Sequence, residues 1–153
     1  MNHPAELWEQ RFNRFLCRAA GQQDGLALAA RYGAAFPPGY RELTLPQLAG
    51  RDVLHLRRVA ESGEDAFELW KAGHCHRLRL YSLRGRFLDE LMPLLTNLGL
   101  RVADHRVADH VQFALELADK RLLVTSFAVQ AAQPEALPLS ALKKNCWKRC
   151  AIY

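Results

Sequence analysis

The hydrophobic period of the chain changes near Ala66, and that change limits what it can fold into. Upstream, apolar residues recur at helical spacing: Leu7, Trp8, Phe12, Phe15 and Leu16 in one stretch, Val53, Leu54, Leu56 and Val59 in another. From Ala66 they alternate with polar or bulky neighbours, first Phe67 and Leu69 with Glu68 and Trp70, then Leu78 and Leu80 with Arg77, Arg79 and Tyr81. Alternation puts every second side chain on one face, so two half-buried strands are expected. Lys71 to Cys75, with Gly73, forms the hairpin turn between them. The helical period then returns with Phe87, Leu88, Leu91, Leu94, Leu95 and Leu98, and Gly99 stops it. Pro93 inside this helix removes a hydrogen bond and predicts a kink. "LRVADHRVADHVQFALEL" and "RLLVTSFAVQ" read as two more strands joined at Asp119-Lys120. The order is α-β-β-α-β-β, an α+β sandwich with helices on one face of a small antiparallel sheet.

The first forty or so residues read as a helical hairpin. Gly21 is placed to end the first helix and Asp24 to cap the second. "FPPGYRE", Phe36 to Glu42, breaks the second helix and fixes a turn. The next helix is expected from about Arg51, with Asp52 near its start and Ser62-Gly63 at its end. Residues 1–43 are thus a helical arm, 44–130 the α+β domain and 131–153 a linker or tail. Trp8, Phe12 and Phe15 on the arm suit a core or an interface with a second domain or subunit.

A chain of 153 residues is about one domain, and 50% hydrophobic content is enough for a real core. No apolar run approaches the ~18–20 residues of a membrane span, and "MNHPAELWEQRF" has no signal-peptide core. A cytoplasmic protein without membrane contact is expected. The net charge of +5 admits a nucleic-acid-binding α/β module as a reading from another class. Against it, the arginines are spread one or two to each element. The exposed aromatic pair on which RNA-binding sheets stack bases is not evident either.

The cysteines make no paired C-x-x-C of the zinc type, and without a secretory signal disulfides are not expected. His74-Cys75-His76 offers two ligands in a turn without a third, and Cys146 and Cys150 sit one helical turn apart in the tail. The repeated "VADHRVADH", Val102 to His110, is the most suggestive constellation. In a strand its five-residue offset sends Asp104, Arg106 and His110 to one face and His105 and Asp109 to the other, so it cannot converge on one ion. No metal site and no catalytic residue is assigned. The best candidate is the turn from Ser82 to Leu88. Backbone N–H groups at a helix start favour an anion, and Arg84, Gly85, Arg86 and Phe87 are its binding residues.

Two stretches carry a resemblance. "SLRGRFLDELMPLLTNLGLRVADHRV", Ser82 to Val107, resembles an ACT domain, a small regulatory module common in amino-acid metabolism. More of the chain, about residues 7 to 130, is similar to the N-terminal, ACT-like region of the large bacterial NAD-specific glutamate dehydrogenases. Phe36-Pro37-Pro38-Gly39-Tyr40-Arg41-Glu42 and Pro93 to Val102 are its most distinctive parts. The resemblance implies an ACT-like/ferredoxin-like sandwich behind the N-terminal hairpin. It further implies a non-catalytic regulatory or assembly domain, coupling ligand binding or oligomer packing to a distant oxidoreductase core. An amino-acid effector near Arg84 to Phe87, and self-association or packing on other domains of the same enzyme, would follow. NAD would bind that core: no G-x-G-x-x-G follows a strand here, so no cofactor is expected in this chain. A stand-alone amino-acid sensor of the ACT type is the alternative.

Overall fold

The computed structural model describes residues 4–72, 75–84, 88–97, 99–102 and 111–131. Four helices come first: α1 (Pro4–Ala20), α2 (Gln22–Ala35), α3 (Tyr40–Leu43) and α4 (Pro46–Ser62). Strands β1 (Ala66–Ala72) and β2 (Cys75–Ser82), helix α5 (Leu88–Asn97), and strands β3 (Leu100–Val102), β4 (Val111–Glu116) and β5 (Arg121–Ala131) follow. The fold is α+β, with an N-terminal helical hairpin.

Local sequence sets most of these boundaries. Gly21 takes φ 94°, and its N–H donates to the Cys17 carbonyl at 3.0 Å, so α1 stops there as expected. The next helix does not wait for Asp24: α2 starts at Gln22 with no side-chain cap. The fourth helix also starts earlier than expected, at Pro46 and not Arg51. Proline at the first helical position has the right φ and gives up only an N–H that no helical carbonyl would accept. Gly63, at φ 76°, closes α4 with its N–H on the Val59 carbonyl.

The strands are all antiparallel, in the order β1-β2-β5-β3, with β4 also on β5. Strand β4 pairs with Arg121 to Ser126 and β3 with Val129 to Ala131, so both lie along the edge of β5 that β2 leaves free. This corrects the single strand expected from Leu100 to Leu117. Val102 pairs with Val129 and Val111 with Ser126. The register with β5 therefore differs between the two pairings, and β3 and β4 are separate strands with residues 103–110 between them in sequence. The repeated Asp-His segment is in that stretch and lies outside the described residues.

Each sheet face has its own core. On one, Ala66, Tyr81, Phe113, Leu115, Leu122 and Val124 pack with Phe12, Leu16, Tyr40, Val53, Leu56 and Val59 from the helices upstream. On the other, Leu69, Leu78, Leu80, Phe127 and Val129 pack with Leu95 of α5. The helices thus cover both faces and not one. The physical sign is in β5, where Leu122, Leu123 and Val124 are buried in succession, as in a strand covered on both sides. The hairpin of α1 and α2 joins the first core through Phe12, Leu16, Ala29 and Tyr32. Lys120 Nζ donates to the Ala60 carbonyl at 2.5 Å, tying the β4–β5 turn to the end of α4.

Candidate functional site

Helix α4 turns Asp52, Val53, Leu56 and Val59 toward the sheet, and all four are buried. An acid on an apolar stripe is costly unless it is paired. Asp52 is paired on every side. Arg79 of β2 donates from Nε to Oδ1 at 2.8 Å and from Nη2 to Oδ2 at 2.6 Å. The Tyr81 hydroxyl donates to Oδ1 at 2.6 Å, and the Tyr40 hydroxyl to Oδ2 at 2.5 Å. Arg79 and Tyr81 are two residues apart on one strand, so both face α4.

Tyr40 arrives through the Phe36–Glu42 turn, in which Phe36, Tyr40 and Arg41 each have a partner. Gly39 sits in the left-handed region at φ 84° and starts α3. Phe36 stacks on Tyr40 at 4.2 Å, and Phe113 meets the Tyr40 ring edge-on at 5.0 Å. Arg41 points the other way. Its guanidinium lies 4.9 Å from the centre of the Trp8 ring, and Nη2 donates to the Gly33 carbonyl at 3.3 Å. Trp8 Nε1 donates to the Thr44 carbonyl at 2.9 Å, closing the hairpin onto the turn.

A second ring of groups surrounds the buried pair. His55 stacks on Tyr81 at 4.6 Å and brings Nε2 within 3.3 Å of Glu68 Oε2. Arg51 Nε is 3.3 Å from Glu68 Oε1, and its guanidinium lies 5.7 Å from the centre of the Trp70 ring.

The electrostatics favour a fixed charge state. Burial raises the Tyr40 and Tyr81 hydroxyls above their ordinary value, and the Asp52 carboxylate beside them raises both further. Burial alone would lower the Arg79 guanidinium. Its hydrogen bonds to Asp52 and the charge pairing outweigh that and leave it raised. Both tyrosines stay neutral, Arg79 stays charged, and each Asp52 oxygen already accepts two hydrogen bonds. Such a group has no free lone pair for a ligand and no route to water for a proton. The arrangement joins α3, α4 and β2. It holds these elements of the fold together.

The residues singled out in the sequence fall elsewhere. Arg84 is exposed, and its carbonyl accepts the Ser82 hydroxyl at 2.9 Å. Gly85, Arg86 and Phe87 lie outside the described residues, as do His74, Cys146 and Cys150. Among the described residues, no three His, Cys, Asp or Glu side chains converge to hold a metal ion. No described helix is long and apolar enough to cross a membrane. Sequence reasoning missed the Asp52 cluster. Its signals were an acid on the α4 apolar stripe and two polar-tipped residues, Arg79 and Tyr81, sharing one strand face.

Residues 15–59 match the family model described as glutamate dehydrogenase, helical motif 2. That segment contains α2, the Phe36–Glu42 turn and most of α4, hence both Tyr40 and Asp52. The chain is also 28% identical to an NAD-specific glutamate dehydrogenase of Pseudomonas aeruginosa over 103 residues. The match takes in 62% of this chain and 6% of that protein, so the chain spans only a small part of the relative's length. Over residues 15–59, the stretch that carries Tyr40 and Asp52, this chain is thus similar to glutamate dehydrogenases, and over 103 residues it is similar to an NAD-specific one.

Proposed function

We propose that this chain is a non-catalytic regulatory or assembly domain of an NAD-specific glutamate dehydrogenase. It couples ligand binding or oligomer packing to a dehydrogenase core carried elsewhere. One observation carries the reading: the stretch that matches the glutamate dehydrogenase model places its buried polar groups, Tyr40 and Asp52, in a closed cluster and not in an open site. Asp52 and Tyr40 are consumed in the buried cluster, and Arg41 in the hairpin contact. A region built this way transmits position and does no chemistry. The run α4-β1-β2-α5-β3-β4-β5, an antiparallel sheet with a helix between its second and third strands, supports an ACT-like module, with an amino acid as effector at the Arg84–Phe87 turn. NAD and glutamate would be bound by the dehydrogenase core.

Two measurements test this. The purified chain, given glutamate and NAD, is expected to produce no NADH; glutamate-dependent NADH formation would overturn the non-catalytic reading. A thermal-shift screen with the common amino acids at millimolar concentration is expected to raise the melting temperature with one of them, and Arg84→Ala to abolish that rise. A flat screen removes the effector and leaves assembly as the remaining role.

A further inference from the structure

Strand β1 closes one side of the sheet, and among the described residues nothing pairs with its outer edge. Natural sheets block such edges with proline, bulges, very short strands or charged side chains, above all lysine. Here the edge strand has seven residues, each in unbroken register with β2, and "AFELWKA" contains neither proline nor glycine. Its two charges are Glu68, already paired with Arg51, and Lys71 near the end. Both faces carry large side chains that are only half-buried, Phe67 on the α5 side and Trp70 on the α4 side.

We propose that β1 pairs antiparallel with β1 of a second copy of this chain, centred on Leu69. The choice of partner and register follows from the strand itself. A two-fold axis perpendicular to the sheet keeps like faces together, so the centre must fall on a residue. A centre on Glu68 opposes two carboxylates, and one on Lys71 opposes two ammonium groups. A centre on Trp70 sets Lys71 against buried Leu69. A centre on Leu69 alone pairs the whole strand. It sets Glu68 opposite Trp70, Phe67 opposite Lys71, and Leu69 opposite itself. Arg51 already lies between Glu68 and its own Trp70. The second copy's Trp70, arriving opposite Glu68, extends that cation–aromatic contact, while each Lys71 faces a Phe67 ring. Two sheets join into one through main-chain hydrogen bonds, and the side-chain pairs set the register.

This deepens the assembly half of the proposed function and rests on it. The experiment reads mass and not ligand response, so the two can fail separately. Sedimentation of the full chain across micromolar to millimolar concentration is expected to show a monomer–dimer equilibrium. Trp70→Glu places carboxylates opposite one another twice per dimer and is expected to weaken association about tenfold or more. Trp70→Lys removes the same ring but opposes Glu68 with a cation, and is expected to stay dimeric. Far-ultraviolet circular dichroism and melting curves of both variants separate lost pairing from lost folding. If the chain is monomeric throughout that range, the proposal is overturned. Equal dimerisation of folded Trp70→Glu and Trp70→Lys, or equal loss of it, overturns it as well.

Discussion

Arg79 grips Asp52 with both arms of its guanidinium, across the layer between β2 and α4, while Tyr40 and Tyr81 take the remaining acceptor positions of the same carboxylate. The charge is therefore balanced where no water reaches it. Removing one partner is far more costly than removing both, because the survivor stays buried.

Asp52→Ala is expected to lower stability by about 3–5 kcal/mol, since it strands a buried guanidinium. The double variant Asp52→Leu, Arg79→Met is expected to recover more than half of that loss. Urea denaturation of Asp52→Leu, Arg79→Met and the double variant gives the cycle. A double variant as unstable as the sum of the singles would show that the pair does not act as a unit.

The raised tyrosines predict an alkaline limit. Tyr40 and Tyr81 lie above their ordinary value of 10.0 in the folded chain, and Tyr32 is raised by burial too. The folded state then holds phenolic protons that the unfolded state gives up. The stability they contribute is fully present below about pH 10 and falls as pH rises beyond it. Denaturation midpoints between pH 8 and 11 are expected to drop, and Tyr81→Phe to drop less steeply over that window.

Two glycines at helix contacts separate backbone from side-chain crowding. A Cβ on Gly25 would lie 2.5 Å from Cys17 Cα and N, which cannot swing away. A Cβ on Gly50 would lie 2.2 Å from Phe15 Cδ1, at the edge of a half-buried ring. Gly25→Ala is expected to cost about 3 kcal/mol and Gly50→Ala about 1–2 kcal/mol. Truncating Phe15 to Ala should couple strongly with Gly50→Ala and hardly at all with Gly25→Ala in thermal melts.

A second pair of glycines should respond with opposite sign. Gly39 has open space around it but φ 84°, so Gly39→Ala is expected to destabilise by about 1–2 kcal/mol through conformation alone. Gly33 lies within α2, and a Cβ there would meet only ordinary contacts, at 3.7 Å from Arg41 Nη2 and 3.8 Å from Phe12 Cε1. Gly33→Ala is expected to stabilise by about 0.5–1 kcal/mol. Equal effects in denaturant titrations would count against the turn geometry.

The element order was legible from the sequence because hydrophobic period and glycine placement act locally. Gly21, Gly63 and Gly99 end helices where they were expected to, each at positive φ. The buried cluster was less legible. Arg79 and Tyr81 alternate with Leu78 and Leu80, and alternation reads as one wet face. Only the layer of α4 laid over that face makes it dry, and no local pattern announces a second layer. Asp52, read as an acid near a helix start, became interior because Pro46 begins the helix earlier and turns Asp52 inward. The break between β3 and β4 was hidden for a related reason. Valine-rich sequence continues through residues 102–111, while pairing is decided by β5, which is distant in the chain.

The Asp52 cluster also proofreads assembly. If β2 docked one residue out of step, Leu78 or Leu80 would stand where Arg79 and Tyr81 now stand, and Arg79 would enter the apolar layer beneath α5. Either error leaves a bare charge in a dry interior, at a cost of several kcal/mol, comparable to the whole stability of a domain this size. An all-leucine seam would accept both alignments almost equally. One carboxylate and its three partners therefore make the correct alignment the only one that can be completed.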